Sequence, residues 1–106
     1  MPKYLVIGSY TAEGAAGVLR EGGSGRRAAA EQVLTSVGGK LESLYWGFGS
    51  DDFYATVDLP SHAAATAASL KISSSGSVRV RTVPLMTADE IDAAAKLSPS
   101  FRPPGS

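Results

Sequence analysis

Residues Val78-Arg79-Val80-Arg81-Thr82-Val83 alternate with a period of two. An extended backbone there puts Val78, Val80 and Thr82 on one side and Arg79 and Arg81 on the other. A strand built this way needs a sheet with one face closed by apolar packing and the other turned to polar groups or to a partner. Any fold for this chain has to supply that sheet. With 106 residues, 43% of them hydrophobic and 19% charged, the chain has room for one globular core and little more. A domain of this size buries about 60 to 70% of the surface its unfolded chain exposes, so association with further copies is an economical source of additional burial.

Tyr4 to Tyr10 is a compact β-branched and aromatic run, read as a first strand with Tyr4, Val6, Gly8 and Tyr10 on one face and Leu5, Ile7 and Ser9 on the other. Thr11 caps a short helix to about Arg20, in which Gly14 and Gly17 each cost up to about 1 kcal/mol relative to Ala. Glu21-Gly22-Gly23-Ser24-Gly25 breaks it, and Ser24 is placed to cap a second piece from about Gly25 to Val37, stopped by Gly38-Gly39. Leu41 to Phe48 and Phe53 to Leu59 read as a hairpin around Gly49-Ser50-Asp51-Asp52. Pro60-Ser61 opens an Ala-rich helix from Ser61 to about Ile72, and Ser73 to Gly76 ends it before the Val78 strand. Thr87-Ala88-Asp89-Glu90 forms a capping box and Met86 with Ile91 a hydrophobic staple, which predicts a last helix to about Leu97. Residues 98–106, rich in Pro, Ser and Gly, are expected to be a loose tail outside a domain spanning 1–97.

The order β-α-β-β-α-β followed by a helix is the split βαβ pattern, so the fold class is α+β, ferredoxin-like, with a four-stranded antiparallel sheet. Such a sheet carries its helices on one face. Yet Leu44, Trp46 and Phe48 oppose Leu41 and Tyr45 in the second strand, which asks for cover on both faces. Aromatic side chains bury about 150 to 250 Å² each, and a few left bare exceed what ordinary monomers expose. Two subunits packed sheet against sheet, as a homodimer or a higher oligomer of dimers, would supply the cover and could enclose a barrel-like cavity.

Ten basic residues balance ten acidic ones, without the excess that draws a chain onto nucleic acid. The N-terminal apolar run is too short for a signal peptide or a membrane span, so no membrane partner is expected. The chain has no cysteine, which excludes disulfides, thiolate metal sites and a cysteine nucleophile, and fits the cytoplasm. The one histidine, His62, stands in the first turn of the Ala-rich helix; a general base there is conceivable, but a solvent-facing position is the plainer reading. No metal and no cofactor is expected, and G-x-S-x-G is absent, so no catalytic residue can be named.

Three constellations remain, each with a plain structural alternative. Tyr10, Trp46 and Tyr54, together with Tyr45, could wall a pocket for a flat organic ligand, or simply pack in core and interface. Arg79 and Arg81 could hold a ligand carboxylate or pair with Glu42, Asp52 or Asp58. Ser24, Arg26 and Arg27 could bind an anion at a helix start, or form a flexible break with a cap. Asp51-Asp52 is no proton-sharing pair, because neighbours on an extended chain point to opposite faces.

Four segments, Pro2 to Gly14, Gly22 to Arg27, Gly38 to Ser43 and Val78 to Leu85, carry a resemblance to the GYD domain family of the dimeric α/β-barrel superfamily. The resemblance runs from about Met1 to Lys96. The eponymous element falls on Gly49, Ser50, Asp51 and Asp52, with Asp51 where the family usually has tyrosine. The resemblance implies the ferredoxin-like fold and an oligomer built on the sheet face, and brings no established reaction. Three functions fit: a homo-oligomeric binding or accessory protein with a small-molecule cavity at the sheet interface; a cofactor-independent monooxygenase or isomerase, by analogy with the superfamily; or a purely structural oligomerisation module.

Overall fold

A computed structural model describes residues 1–106. The elements are β1 (Lys3–Tyr10), α1 (Ala12–Ser36), β2 (Lys40–Trp46), β3 (Phe53–Asp58), α2 (His62–Ser74), β4 (Val78–Leu85) and α3 (Ala88–Ala95). All neighbouring strands are antiparallel, in the order β2-β3-β1-β4, which is the expected α+β, ferredoxin-like sheet. β4 is an edge strand, and this is why it continues through Pro84 to Leu85, two residues beyond Val83: a missing N–H is tolerated at an edge.

Thr11 caps α1, its hydroxyl accepting from the Gly14 amide at 3.2 Å. The break in α1 is narrower than the glycine-rich stretch suggests. Only Gly22 leaves helical geometry, at φ 74° and ψ 174°, a conformation open essentially to glycine alone, and the helix resumes at once. Ser24 therefore lies inside a helical turn, exposed, and is not a cap. α2 starts at its Ser61 cap and runs to Ser74, two residues past the expected end. α3 has the full Thr87/Glu90 capping box and stops at Ala95, short of Leu97.

β2 differs most from expectation. The Gly47 amide donates to the Asp52 carbonyl at 3.0 Å and closes the hairpin early, so β2 ends at Trp46 and Phe48 sits exposed in the turn. A register shift between Leu41 and Ser43 marks a bulge at Glu42. One extra residue reverses the alternation, so Leu41 joins Leu44 in packing against the core on the helix side instead of opposing it. Of the side chains expected to cover the other face of β2, only Tyr45 remains.

The core lies between sheet and helices: Tyr4, Ala55, Val57 and Leu59 meet Leu34 from α1 and Ala65 from α2. It is small, with 10 of 106 residues buried, and α3 contributes none. The approach of α1 to β4 is fixed at Gly14, where an added Cβ would lie 2.1 Å from the Ser77 carbonyl oxygen. Gly14 weakens the helix locally but lets it seat against the sheet. Gly14→Ala is expected to destabilise the fold by about 1–3 kcal/mol in chemical denaturation, through overpacking against backbone that cannot swing away. Gly17→Ala, whose Cβ would meet only the Arg20 guanidinium at 3.8 Å, is expected to stabilise by up to about 1 kcal/mol.

Candidate functional site

The sheet separates the candidate residues into two groups. On the face away from the helices, register aligns Tyr45, Tyr54, Ile7 and Arg81 in one row and Ser43, Thr56, Leu5 and Val83 in the next. Tyr45 is 71% exposed, Tyr54 41% and Val83 40%, so this face is an open apolar band. Polar groups bound it at both ends. At one end Arg81 Nη2 donates to Asp51 Oδ2 at 3.1 Å, while Arg79 is exposed and has no carboxylate partner. At the other end Lys3 Nζ donates to Glu42 and, at 3.0 Å, to Asp58 Oδ1, and Thr56 Oγ1 donates to Glu42 Oε1 at 3.0 Å.

These pairings reassign the counter-charges expected for the arginines. Glu42 and Asp58 belong to Lys3, and Asp51 partners Arg81. Asp52 instead accepts the Tyr10 amide at 2.8 Å through Oδ2, while its own amide donates to the Gly8 carbonyl at 2.8 Å. The two adjacent aspartates thus serve different jobs: Asp52 fastens the hairpin to β1, and Asp51 neutralises a guanidinium on the open face. Asp51 thereby has a defined partner.

On the helix side, α1, α2 and the sheet line a cavity of about 500 Å³ that opens to solvent. Val6, Ala55 and Val57 form its floor; Ala29, Ala30 and Val33 of α1 form much of its roof. The volume exists because the helices present small groups to the sheet: Gly17, Ala29 and Ala30 from α1, Ala65 and Ala68 from α2. One wall is aromatic. Trp46 Nε1 donates to Tyr10 Oη at 3.1 Å, and the Tyr10 and Phe53 rings stand 5.5 Å apart. Gly23, just past the kink, lies over the Trp46 ring, where an added Cβ would be 3.7 Å away. The charged lining residues are Glu13, Arg20, Glu21, Arg26 and Lys71.

Of the residues singled out from sequence, Tyr10 and Trp46 meet in this cavity wall, whereas Tyr54, Arg79 and Arg81 lie across the sheet on the open face. Ser24, Arg26 and Arg27 do not converge on an anion: Arg26 pairs with Glu21 at 3.2 Å, Arg27 with Glu31 at 3.7 Å, and Ser24 is exposed. Arg20, Glu13, Lys71 and Phe53 escaped the sequence reading. The available signal was the glycine and alanine spacing of α1, which marks a helix face too small to fill the layer beneath it. His62 is exposed, as expected at the start of α2, but also has a partner: its Nδ1 lies 2.6 Å from the hydroxyl of the buried Tyr4, with the rings edge-on. A buried tyrosine needs a polar partner, which made the first turn of α2 a place to look.

The Lys3 cluster shifts its own titrations. Hydrogen bonds from Lys3 and then Thr56 hold Glu42 below the ordinary carboxylate range, and those to Glu42 and then Asp58 hold Lys3 above the ordinary ammonium range. Glu42 therefore contributes stability that is present above its unfolded pKa and lost as pH falls through its lower folded value. Lys3 contributes stability that is present below its unfolded pKa and lost as pH rises through its higher folded value. Glu42 is exposed and Lys3 half-buried at the sheet surface, so solvent screening keeps the effect on stability slight and it is best read site by site. Carbon-detected NMR titration is expected to place the Glu42 midpoint below an ordinary glutamate, and Lys3→Met to move it upward. An unmoved midpoint would mean that Lys3 does not hold Glu42.

No helix is long and apolar enough to cross a membrane. No curated protein and no solved structure matches the chain. The sequence model of the GYD domain matches residues 4–95, from the buried Tyr4 through the last residue of α3, and so takes in all of the sheet but Lys3, the cavity and the Asp51-Asp52 turn. The chain belongs to the GYD domain family.

Proposed function

We propose that the protein is a cytoplasmic homo-oligomeric binding protein in which two copies pair open sheet face to open sheet face, each holding a small organic molecule. The observation that carries the binding role is the cavity of about 500 Å³, within the range of small-molecule sites and lined mainly by apolar groups with a few polar ones at its wall. It lies inside the single chain, on the helix side, rather than at the interface where a paired-sheet barrel would put it. A cavity of this size favours binding over a purely structural module.

Pairing through the other face is supported by its composition. Leu5, Ile7, Tyr45, Tyr54 and Val83 form an apolar band with no cover from this chain, while Arg81–Asp51 and the Lys3 cluster leave most charges at its ends already matched. Two such faces can meet without strong like-charge repulsion. The small core of the single chain is a further reason for a partner copy.

Native mass spectrometry of protein purified from its own host tests both halves. The expected result is a dimer or a multiple of dimers carrying a reproducible extra mass; a clean monomer would defeat the pairing, and a bare oligomer the ligand. Ile7→Lys, which puts a charge in the middle of the open face, is expected to shift the protein to monomer in light scattering while its circular dichroism is retained. Ala29→Phe, which projects a ring into the cavity, is expected to remove the extra mass and leave the dimer intact. If the ligand survived Ala29→Phe, it would be bound elsewhere.

A further inference from the structure

We infer that the ligand of the helix-side cavity is an organic monoanion: an apolar body lying against the sheet floor and one carboxylate held at the wall by Arg20. The inference rests on the cavity being a binding site, as proposed above, and adds the class of molecule it takes.

The charges lining the cavity decide the sign. Glu21 and Arg26 satisfy one another at 3.2 Å, which removes both from the account. Glu13, Arg20 and Lys71 make no salt bridge, so two cations face the cavity against one free carboxylate. Arg20 is the better placed of the cations. Its guanidinium folds back along α1 toward Gly17, with Nη2 3.8 Å from the position a Gly17 Cβ would take, and it donates no side-chain hydrogen bond to the protein. Gly17 itself lines the cavity, so the guanidinium lies beside an opening that no side chain fills.

The Tyr10 hydroxyl adds a donor. Its oxygen accepts from Trp46 Nε1, which leaves its own hydrogen for a ligand oxygen. A planar guanidinium with free paired N–H groups matches a carboxylate in geometry as well as in charge. Because Arg20 is solvent-exposed, the carboxylate would stay partly hydrated and escape the full cost of burying a charge. The rest of the lining, Val6, Ala55, Val57 and Val33 among it, offers an acid's apolar body a surface without polar demands.

The test compares decanoate, decanamide and decylammonium on the full-length oligomer, by calorimetry and by the fluorescence of Trp46, the single tryptophan, which stands in the cavity wall. Decanoate is expected to bind about two- to fivefold more tightly than decanamide, the range of an exposed ion pair, with decylammonium weakest. Arg20→Gln is expected to bring the decanoate-to-decanamide ratio toward one, whereas Arg27→Gln, outside the cavity, keeps it. Equal binding of acid and amide, or a ratio that survives Arg20→Gln, would overturn the inference while leaving the cavity a binding site. If no probe bound and the Trp46 signal stayed unchanged, the binding role of the cavity would fall, and the inference with it.

Discussion

Side chains alternate across a strand, so the extra residue at Glu42 between the paired positions Leu41 and Ser43 decides what each face of this sheet contains. With the bulge, Leu41, Leu44 and Trp46 all line the helix-side cavity, while Ser43 and Tyr45 turn the other way. Without it, Leu41 would stand on the open face, and the floor beneath α1 would lose one of its few large apolar side chains. The bulge also brings the Glu42 carboxylate to Lys3 and Thr56, so one irregularity both sets the facing of β2 and supplies an acceptor for a lysine two strands away.

Much of the architecture was legible because the period-two runs are clean. Val78 to Val83 and Tyr4 to Tyr10 assign their faces without help, and the Thr11, Ser61 and Thr87 caps mark their helices. The bulge was not legible. Leu41-Glu42-Ser43-Leu44 can be threaded onto a strand with or without it, and only pairing with β3 chooses between the two. The candidate site suffered from the same ambiguity. Tyr10, Trp46 and Tyr54 look equivalent in sequence, yet the register sends Tyr10 and Trp46 to the helix side and Tyr54 to the open face. The break in α1 was visible in its glycines, but four candidate residues in a row do not say which one leaves helical geometry, and the chain spends only Gly22 on it, leaving Ser24 an ordinary helical residue.

The cavity and the modest core have one cause. Gly17, Ala29, Ala30, Ala65 and Ala68 bring little volume to the layer between helices and sheet, so space remains where a more conventional domain would place leucine or phenylalanine. Filling such space contributes roughly 25 cal/mol per Å² of apolar area removed from water. A chain that leaves it open forgoes that stabilisation unless something else occupies it. Small side chains on a helix are also what permits close approach, as at Gly14 against Ser77, and α1 uses them both ways: tight contact at its N-terminal end, open volume beyond.

β1 links the two faces. Tyr4, Val6, Gly8 and Tyr10 belong to the helix side, Leu5 and Ile7 to the open band, and the strand is hydrogen-bonded on both edges, to β3 and to β4. Its C-terminal end is tied by Asp52, which accepts from Tyr10 and donates to Gly8, and the Tyr10 ring carries the Trp46 hydrogen bond in the cavity wall. A molecule in the cavity that binds only the folded chain stabilises it by RT ln(1 + [L]/Kd). The same folded β1 presents Leu5 and Ile7 on the open face. Ligand and partner would therefore favour one ordered sheet from opposite sides without sharing a contact, so loss of either would leave the other's surface in place.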